Sequence, residues 1–433
     1  MLYRIVFIIL FFHSFLSGQS LFNRFAGTNP FMGSARSTAM GNTHLLNSTG
    51  SANIRFNPAK LGVMNSRFGF DFQVNRSSVF ERWSMPVRNS FGDFLENADY
   101  VANEFSNYGI SSGLIGSAKF SGISVAGIGI HYAPLTHFIY KYSEEVRGEY
   151  DTEAAEYASR DPLIGYQNLR TDGSIMVGSI GGGLQLDILG DIDIRIGGAI
   201  NIIQPSKIKD EIGVDTLNFD DVNNLTTLPD INATAEIPST HFMTFSTTLN
   251  FTSHIKFGVS WEEEAKTTTT QYSLSIDSTS GLFQYFDDSS YLVRGVNYMK
   301  PDIISLALSI LSDLENMMSL DFEYNQVDYN DHLNLRDYKQ YKFGFEYITQ
   351  MGTPIRCGLM YRTAFIPAMK PVSMFTFGSG KSIRNLMVDV AGTYCFQSFS
   401  YPDLFPVEDD IRTDYDLIRD SQFNLQLALT YQF

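Results

Sequence analysis

The chain ends in a segment, residues 422–433, in which apolar side chains alternate without interruption with polar or small ones. Because successive side chains of a strand point to opposite faces, this segment predicts a strand with one apolar and one polar face. A tilted strand needs about 9–11 residues to cross a bilayer, so the segment is long enough for a transmembrane strand. Such a terminal strand is typical of outer-membrane barrels. We interpret its apolar positions as an insertion signal for the barrel assembly machinery: Leu425, Leu427, Leu429, Tyr431 and Phe433.

The composition agrees with a barrel and excludes several other classes of protein. The net charge is −16 and the sequence pI is about 4.8, so we expect no nucleic-acid partner. A mean hydropathy of −0.08 is too low for a protein built of many transmembrane helices. Aromatic residues make up 14% of the chain and charged residues 18%, with 34 glycines, as expected where lipid-facing and lumen-facing residues average out.

The two cysteines exclude a disulfide-rich scaffold. Cys357 lies in phase with Ile355 and Leu359 on an apolar strand face, whereas Cys395 lies in phase with Asp389 on a polar one. We therefore expect the two thiols on opposite sides of the wall, where they cannot form a disulfide.

Residues 1–18 indicate an export signal, in which Arg4 precedes an unbroken apolar run, residues 5–12. This run is too short to span a membrane, and no later window holds the about 18 apolar residues of a transmembrane helix. We predict three regions: the signal at 1–18, a region without strand periodicity at 19–65, and a barrel at 66–433. The expected location is a bacterial outer membrane, with its lipid and lipopolysaccharide as partners.

The alternation recurs in fourteen segments and predicts an all-β fold, a transmembrane antiparallel barrel of about fourteen strands. Short and long connections also alternate, as in outer-membrane barrels, whose short turns face the periplasm. Bacterial single-chain barrels have even strand numbers, which favours one long, kinked strand at 67–87. The alternative is a barrel of sixteen strands, in which this region forms two strands and a further strand lies near 136–147. The remaining predicted strands are 114–120, 123–133, 174–187, 191–204, 241–251, 255–262, 301–312, 317–327, 338–349, 354–365, 372–382, 386–397 and 422–433.

The connection at 88–110 has the best helical spacing in the chain. We predict a helix there whose apolar face either collects an apolar ligand at the barrel mouth or packs on neighbouring loops. The positions that carry this prediction are Phe91, Phe94, Leu95, Ala98, Val101 and Phe105.

The segment 33–62 resembles the N-terminal hatch of FadL-like outer-membrane proteins, which transport long-chain fatty acids and aromatic hydrocarbons. The resemblance rests on an Ala-rich run ending in Met-Gly and on a later Asn-Pro-Ala. Asn47-Ser48 and Lys60 depart from the family pattern, which has an acidic pair and usually Gly at these places. The same segment is also similar to that of PorV-like shuttle barrels of type IX secretion. The matching residues are Ala35, Ala39, Met40, Gly41, Asn57, Pro58 and Ala59.

The resemblance implies a fourteen-strand barrel with the hatch as a plug in its lumen, and uptake of a small hydrophobic ligand that leaves sideways through the wall. The candidate pocket residues that it adds to the mouth residues are Phe22, Phe25, Phe31, Met32, Leu45 and Leu46. Each could equally pack the plug against the wall. The shuttle resemblance implies secretion-system proteins as partners instead.

Motifs that suggest other chemistry have poor contexts. Gly-Lys-Ser at 380–382 is not a phosphate loop, because the required glycine five residues before Gly380 is replaced by Phe375 and no helix is predicted to follow. The seven histidines show no metal-ligand spacing, and no Gly-x-Ser-x-Gly elbow occurs. The acidic loop at 402–420 could hold a divalent cation or be a solvated loop. We therefore expect no cofactor, no metal and no enzymatic activity.

Overall fold

A computed structural model describes residues 21–31, 33–63, 68–120, 123–147, 163–189, 192–217, 231–268, 272–276, 297–312, 318–330, 335–366, 369–405 and 415–433. In chain order the strands are β1 (Phe68–Arg88), β2 (Phe94–Phe120), β3 (Ile123–His137), β4 (Tyr140–Arg147), β5 (Leu163–Leu189), β6 (Ile192–Ile203), β7 (Ser206–Thr216), β8 (Ile231–Ile237), β9 (Thr240–Asn250), β10 (Ile255–Glu262), β11 (Ala265–Thr268), β12 (Tyr272–Ile276), β13 (Asn297–Lys300), β14 (Asp302–Leu311), β15 (Met318–Asp328), β16 (Tyr338–Ile348), β17 (Pro354–Arg362), β18 (Val372–Ile383), β19 (Leu386–Tyr401) and β20 (Asp416–Gln432).

Fourteen of these strands form one closed antiparallel barrel, as predicted. The ring runs β1, β2, β3, β5, β6, β9, β10, β14, β15, β16, β17, β18, β19 and β20, and it closes where β20 pairs with β1. Residue 67 is outside the described residues, but β1 is one continuous strand through the predicted kinked region. The closed ladder leaves no unpaired barrel edge, which is the condition for a sheet that crosses a membrane.

The barrel has two unlike ends. At the end that we call the turn end, only a few residues separate successive strands, for example 190–191 between β5 and β6. At the opposite loop end, strands continue beyond the ring: β4 and β7 pair with the upper part of β5, β8 pairs with β7, and β12 with β8. A separate pair, β11 and β13, lies between β10 and β14 in the chain.

The predicted helix at the barrel mouth is wrong. Residues 94–120 form β2, whose residues 94–116 pair with β1, and a turn at Asn89–Asp93 joins the two strands. A bulge lies where Trp83 pairs with Val101 and Ser84 with Asp99, so Tyr100 is an extra residue. A bulge reverses the phase of side-chain alternation, and this reversal gave the apolar residues a spacing close to that of a helix.

The wall has the predicted facing. Leu427 is 42% exposed on the outer surface, whereas its neighbour Gln426 is 1% exposed and points inward. Cys357 is exposed and Cys395 buried, both as free thiols, in agreement with their assignment to opposite faces. Within the described part of the chain, no helix is both long and apolar enough to cross a membrane.

The N-terminal segment, described for residues 21–31 and 33–63, contacts inward-facing residues of the ring. It contains four short helices, α1 (Asn23–Ala26), α2 (Ala35–Ala39), α3 (His44–Asn47) and α4 (Ala52–Phe56), followed by a 3-10 turn at Pro58–Val63. Ser34 caps α2 by accepting a hydrogen bond from the Ser37 amide. The segment's hydrogen bonds reach inward-facing side chains of β1, β9, β15, β16 and β20, which lie on different sides of the ring.

Candidate functional site

The N-terminal segment rests on two glycine patches of the wall. The first, the Met40 patch, consists of Gly344, Gly358 and Gly378 on β16, β17 and β18, and it contacts the backbone of Met40 and Gly41 and the side chain of Ala39. A Cβ on Gly358 would collide with the Gly41 amide, and one on Gly344 would collide with Met40. Gly41 itself has φ +70°, which favours glycine.

The second, the Pro58 patch, consists of Gly127, Gly183 and Gly197 on β3, β5 and β6. A Cβ on Gly183 would collide with the Pro58 carbonyl, one on Gly197 with the Ala59 amide, and one on Gly127 with the Leu61 carbonyl. The strands of this patch are the third to fifth of the ring and those of the Met40 patch the tenth to twelfth. The two patches are therefore opposite each other in the ring. The Ala-Met-Gly motif packs on the Met40 patch, and the Asn-Pro-Ala motif packs on the Pro58 patch.

Asn57 joins the motif to the rest of the segment and to the wall. Its side-chain amide donates to the Leu45 carbonyl at 2.5 Å and to Thr248 Oγ1 at 3.2 Å, and the residue is fully buried. The neighbouring Ala59 amide donates to Ser246 Oγ at 2.9 Å. Asn57 thus gives a buried backbone carbonyl a hydrogen-bond donor and links the motif to the wall.

Ion pairs flank the Met40 patch. Arg36 Nη2 lies 2.6 Å from Glu346 Oε1, and Arg356 lies 2.6 Å from Glu346 and 2.5 Å from Asp389. The side chains of Arg356, Glu346 and Asp389 are nearly fully buried, so this chain of charges is compensated within the interior.

A second buried charge group lies beside α3. Lys342 Nζ donates to Glu323 Oε1 at 2.8 Å, both side chains are fully buried, and Glu323 also accepts from the Leu45 amide at 2.8 Å. His44 Nδ1 lies 3.0 Å from Lys342 Nζ. Burial lowers the pKa of His44 to about 4, opposed by Glu323 and reinforced by Lys342, so the imidazole is neutral at pH 7.

A bridge across the closing seam of the barrel completes these contacts. Thr38 Oγ1 donates to Gln426 Oε1 at 2.8 Å, and Gln426 Nε2 donates to Gln73 Oε1 at 2.7 Å. Gln426 belongs to β20 and Gln73 to β1, the two strands that close the ring.

Between the segment and the loop end lies a cavity of about 220 Å³, the loop-end chamber. Its wall is mixed: about half of the lining residues are apolar or aromatic, and about half are polar or charged. The apolar lining includes Phe56, Leu135, Tyr298, Val327, Tyr329, Tyr338, Met360, Phe365, Val372 and Met374, and the polar lining includes Asn75, Arg55, Glu262, Lys300, Gln340 and Arg362.

Three of the eleven predicted ligand residues lie near this chamber but do not line it. Phe22, Val101 and Phe105 are buried in one hydrophobic cluster that also contains Trp83 and Phe399. The cluster includes Phe365 and packs against Tyr329 and Tyr338, and these three residues line the chamber. Val101 and Phe105 belong to a strand rather than a helix, and they reach the cluster from the inner face of β2.

None of the other predicted residues whose side chains the structure describes lines the chamber. Phe31 is buried against Gly109, Leu45 is buried, and Leu45 and Leu46 contact Gly258. Phe91, Phe94 and Leu95 are exposed at the tip of the β1–β2 hairpin. The Phe25 side chain and all of Met32 are outside what the structure describes.

Sequence reasoning missed the charged residues of the chamber. Arg55 Nε lies 3.6 Å and Lys300 Nζ 3.7 Å from Glu262 Oε2, and Lys300 also lies 4.5 Å from the Phe242 ring centroid. The run of glutamates at 262–264 is visible in the sequence and could have indicated a charged site. Its cationic partners Arg55 and Lys300 come from distant parts of the chain, so the sequence does not pair them with Glu262.

In the described part of the chain, no group of three or more His, Cys, Asp or Glu side chains is placed to hold a metal ion. Residues 406–414 of the acidic loop lie outside the described residues, so its cation hypothesis stays a prediction.

The geometry defines a class: a closed fourteen-strand transmembrane-type barrel whose N-terminal segment lies in the lumen. Its fold is that of FadL-type barrels. A Pseudomonas aeruginosa FadL homologue is 11% identical, with 94% of this chain and 100% of that chain covered and a TM-score of 0.61. The Pseudomonas putida toluene transporter TodX is 12% identical (95% and 100% covered, TM-score 0.57), and the Ralstonia pickettii toluene transporter TbuX 14% identical (95% and 100%, 0.54).

No family model matches the sequence, and no curated protein matches it. The likeness is therefore one of fold, which agrees with the resemblance found in the sequence.

Proposed function

We propose that this protein lets small hydrophobic molecules cross a bacterial outer membrane by passive diffusion. The observation that carries this proposal is the loop-end chamber, a cavity above the N-terminal segment whose mixed lining includes five aromatic and three methionine side chains. An apolar solute gains free energy on leaving water for such a cavity, which an open aqueous pore does not offer. Outer-membrane barrels have short turns at the periplasmic side, so the loop end faces outward.

The size of the chamber favours a single-ring aromatic solute over a long acyl chain. An apolar cavity of about 150 Å³ holds benzene, whereas sites for drug-sized ligands measure about 300–1,000 Å³. At about 220 Å³, the chamber accommodates one substituted ring and only part of a fatty acid. Two of the similar structures are toluene transporters, which agrees with this choice.

The lateral exit is proposed at the Pro58 patch. On the outer face of the same strands, Gly182 and Gly198 sit between Ile128 and Phe245, so the wall there is one backbone thick. A groove of about 750 Å³ lies on this outer surface, and Pro58 and Ala59 cover the inner surface. Displacement of the Pro58 segment would leave the thinnest part of the wall uncovered on both faces.

Toluene binding to the refolded protein in detergent tests the proposal. Met374 lines the chamber, so Met374→Trp fills it and should abolish saturable binding measured by calorimetry. Met351→Trp is the matched control, because Met351 is exposed in a turn at the other end of the barrel. A fluorescent long-chain fatty acid should bind more weakly than its larger apolar surface alone predicts, because the chamber accommodates only part of its chain. Equal toluene binding by both variants would place the ligand elsewhere and contradict the proposal.

The alternative function is a shuttle or scaffold for secreted proteins. It is favoured by the β1–β2 hairpin, which carries exposed Phe91, Phe94 and Leu95 at its tip beyond the ring. Folded protein that binds no toluene, but whose complex with a secretion-system protein is lost in Phe94→Ala, would support this alternative.

A further inference from the structure

The first helix of the N-terminal segment, α1, lies at the loop end of the barrel. Leu21, Phe22 and Arg24 are at most 3% exposed there. The Phe22 ring packs on Phe399 of β19, with ring centroids 4.8 Å apart, and on Tyr401 at 6.1 Å. A helix of four residues has little stability of its own, so contacts with the barrel hold α1 in place.

The hydrophobic cluster that contains Leu21 and Phe22 takes its members from most sides of the ring. They come from β1, β2, β4, β5, β7, β19 and β20, and from the connections that follow β15, β17 and β19. One member, Phe365, also lines the loop-end chamber. The cluster and α1 therefore form an apolar cover between the chamber and the outside of the barrel.

A buried ion pair fixes α1 to the strands that extend beyond the ring. Arg24 Nη2 lies 3.2 Å from Asp210 Oδ1 of β7, and Arg24 Nε donates to Thr171 Oγ1 of β5 at 2.8 Å. Thr171 Oγ1 in turn donates to Asp210 Oδ1 at 2.5 Å. The side chains of Arg24 and Asp210 are only 2% and 4% exposed. Removing one member of such a buried pair is strongly destabilising, so the pair favours the docked position of α1.

A glycine follows α1 directly. Gly27 has φ +68°, a conformation that favours glycine, and a Cβ there would collide with the Thr136 side chain. The next residue, Thr28, is fixed to His137 of β3 by two backbone hydrogen bonds of 2.8 Å. The chain is thus held from Thr28 onward and free to turn at Gly27, as hinge residues do when they absorb a change in backbone angles.

We propose that α1 is an outer gate of the barrel, with Arg24 as its latch and Gly27 as its hinge. Rotation of α1 at Gly27 withdraws Leu21 and Phe22 from the apolar cluster and opens the loop-end chamber, which residues 26–30 line, to the outside. The inference rests on the proposed function in one respect, since it is the entry route for the solute that the chamber is proposed to hold. The proposed exit at the Pro58 patch uses a different part of the N-terminal segment.

A native thiol can report the opening of this gate. Cys395 lines the loop-end chamber and is 3% exposed, and Cys357→Ser leaves it as the only cysteine. When opening and closing are fast, the rate at which the thiol reacts with methyl methanethiosulfonate is proportional to the open fraction. In the refolded protein, Arg24→Met should raise this rate about tenfold or more, because the buried ion pair is lost. Asp210→Asn should raise it in the same way.

Two controls separate the gate from a general loosening of the protein. Arg170→Met removes the arginine next to Thr171 on β5, whose pair with Asp215 at 3.7 Å is exposed, and it should leave the rate nearly unchanged. Ser319→Cys, in an otherwise cysteine-free background, places a thiol at a buried position next to the turn end. Its rate should be the same with and without Arg24→Met.

The outcomes distinguish this gate from the transport proposal. Equal Cys395 rates with and without Arg24→Met would overturn the gate. Equal acceleration of Cys395 and of the Ser319→Cys thiol would also overturn it, because the whole N-terminal segment would then have loosened. The reaction uses no toluene, so a protein that binds no toluene but shows the predicted Cys395 rates contradicts the transport proposal alone.

Discussion

The Met40 patch and the Pro58 patch have the same inner chemistry but different outer surfaces. At both, glycines let the backbone of the N-terminal segment lie directly on the wall. Outside the Met40 patch, Phe343, Leu359 and Phe375 form a continuous apolar row, whereas Gly182 and Gly198 occupy the corresponding place outside the Pro58 patch. The wall is therefore thick where the segment is anchored and thin at the opposite side.

The two patches also differ in charge. Buried ion pairs flank the Met40 patch, and the Glu323–Lys342 pair lies on the adjacent strands β15 and β16. Around the Pro58 patch the wall contacts of Asn57 and Ala59 are neutral hydrogen bonds to Thr248 and Ser246. We infer that the charged side holds the segment and the neutral, thin side is the one that can open. The following predictions test this difference, from the largest expected effect to the smallest.

Glu323→Gln should have the largest effect on stability. It leaves the fully buried Lys342 ammonium without its carboxylate, which costs about 3–5 kcal/mol of the free energy of unfolding. The matched control is Glu236→Gln, which breaks an exposed pair with Lys207 and should cost at most about 1 kcal/mol. Urea unfolding in lipid vesicles measures both, and similar small losses would show that the charged side does not anchor the segment.

Acid should weaken the same anchor through His44. Its pKa in the folded protein is about 4, below the unfolded value of 6.5, so the unfolded state takes up a proton first as the pH falls. Stability should be constant above pH 6.5 and decrease by about 3 kcal/mol between pH 6.5 and 4. Unfolding titrations of the wild type and His44→Phe should differ in this window. An identical pH dependence of the two would exclude the imidazole.

Valine at Gly183 or Gly344 should compare the two patches directly. Each side chain collides with the N-terminal segment, and overpacking of this kind costs about 1–3 kcal/mol. Gly183→Val should also increase toluene flux into liposomes, because it displaces Pro58 from the thin wall, whereas Gly344→Val should not. Gly182→Val, on the outer face of the same strand, is the control for strand distortion. Equal flux through both inner variants would refute the assignment of one opening side.

Asn57→Ala should have the smallest effect. It removes the hydrogen bonds to the Leu45 carbonyl and Thr248, each worth about 0.5–1.5 kcal/mol, and loosens the segment on its neutral side. Proteolysis of the folded barrel should become faster near Pro58 than near Met40. Faster cleavage near Met40 instead would reverse the proposed roles of the two patches.

The barrel was predictable from sequence, whereas the contacts within it were not. Alternation is a local signal, so the fourteen strands and the facing of Leu427 and Cys395 could be read from period alone. The same signal failed at Tyr100, where one bulged residue reversed the phase and suggested a helix. The glycines of the two patches are visible in the sequence, but what they contact depends on ring closure. The Arg55–Glu262–Lys300 group joins three distant segments for the same reason.

The bridge from Thr38 through Gln426 to Gln73 has a consequence for the order of assembly. Thr38 and Gln426 are separated by 388 positions in the chain, and the acceptor exists only when the last strand has paired with the first. Contacts between such distant residues form late, because the closure of the intervening chain must come first. The part of the chain that precedes the barrel is thus expected to fold after it, and a bound N-terminal segment would report that the ring has closed.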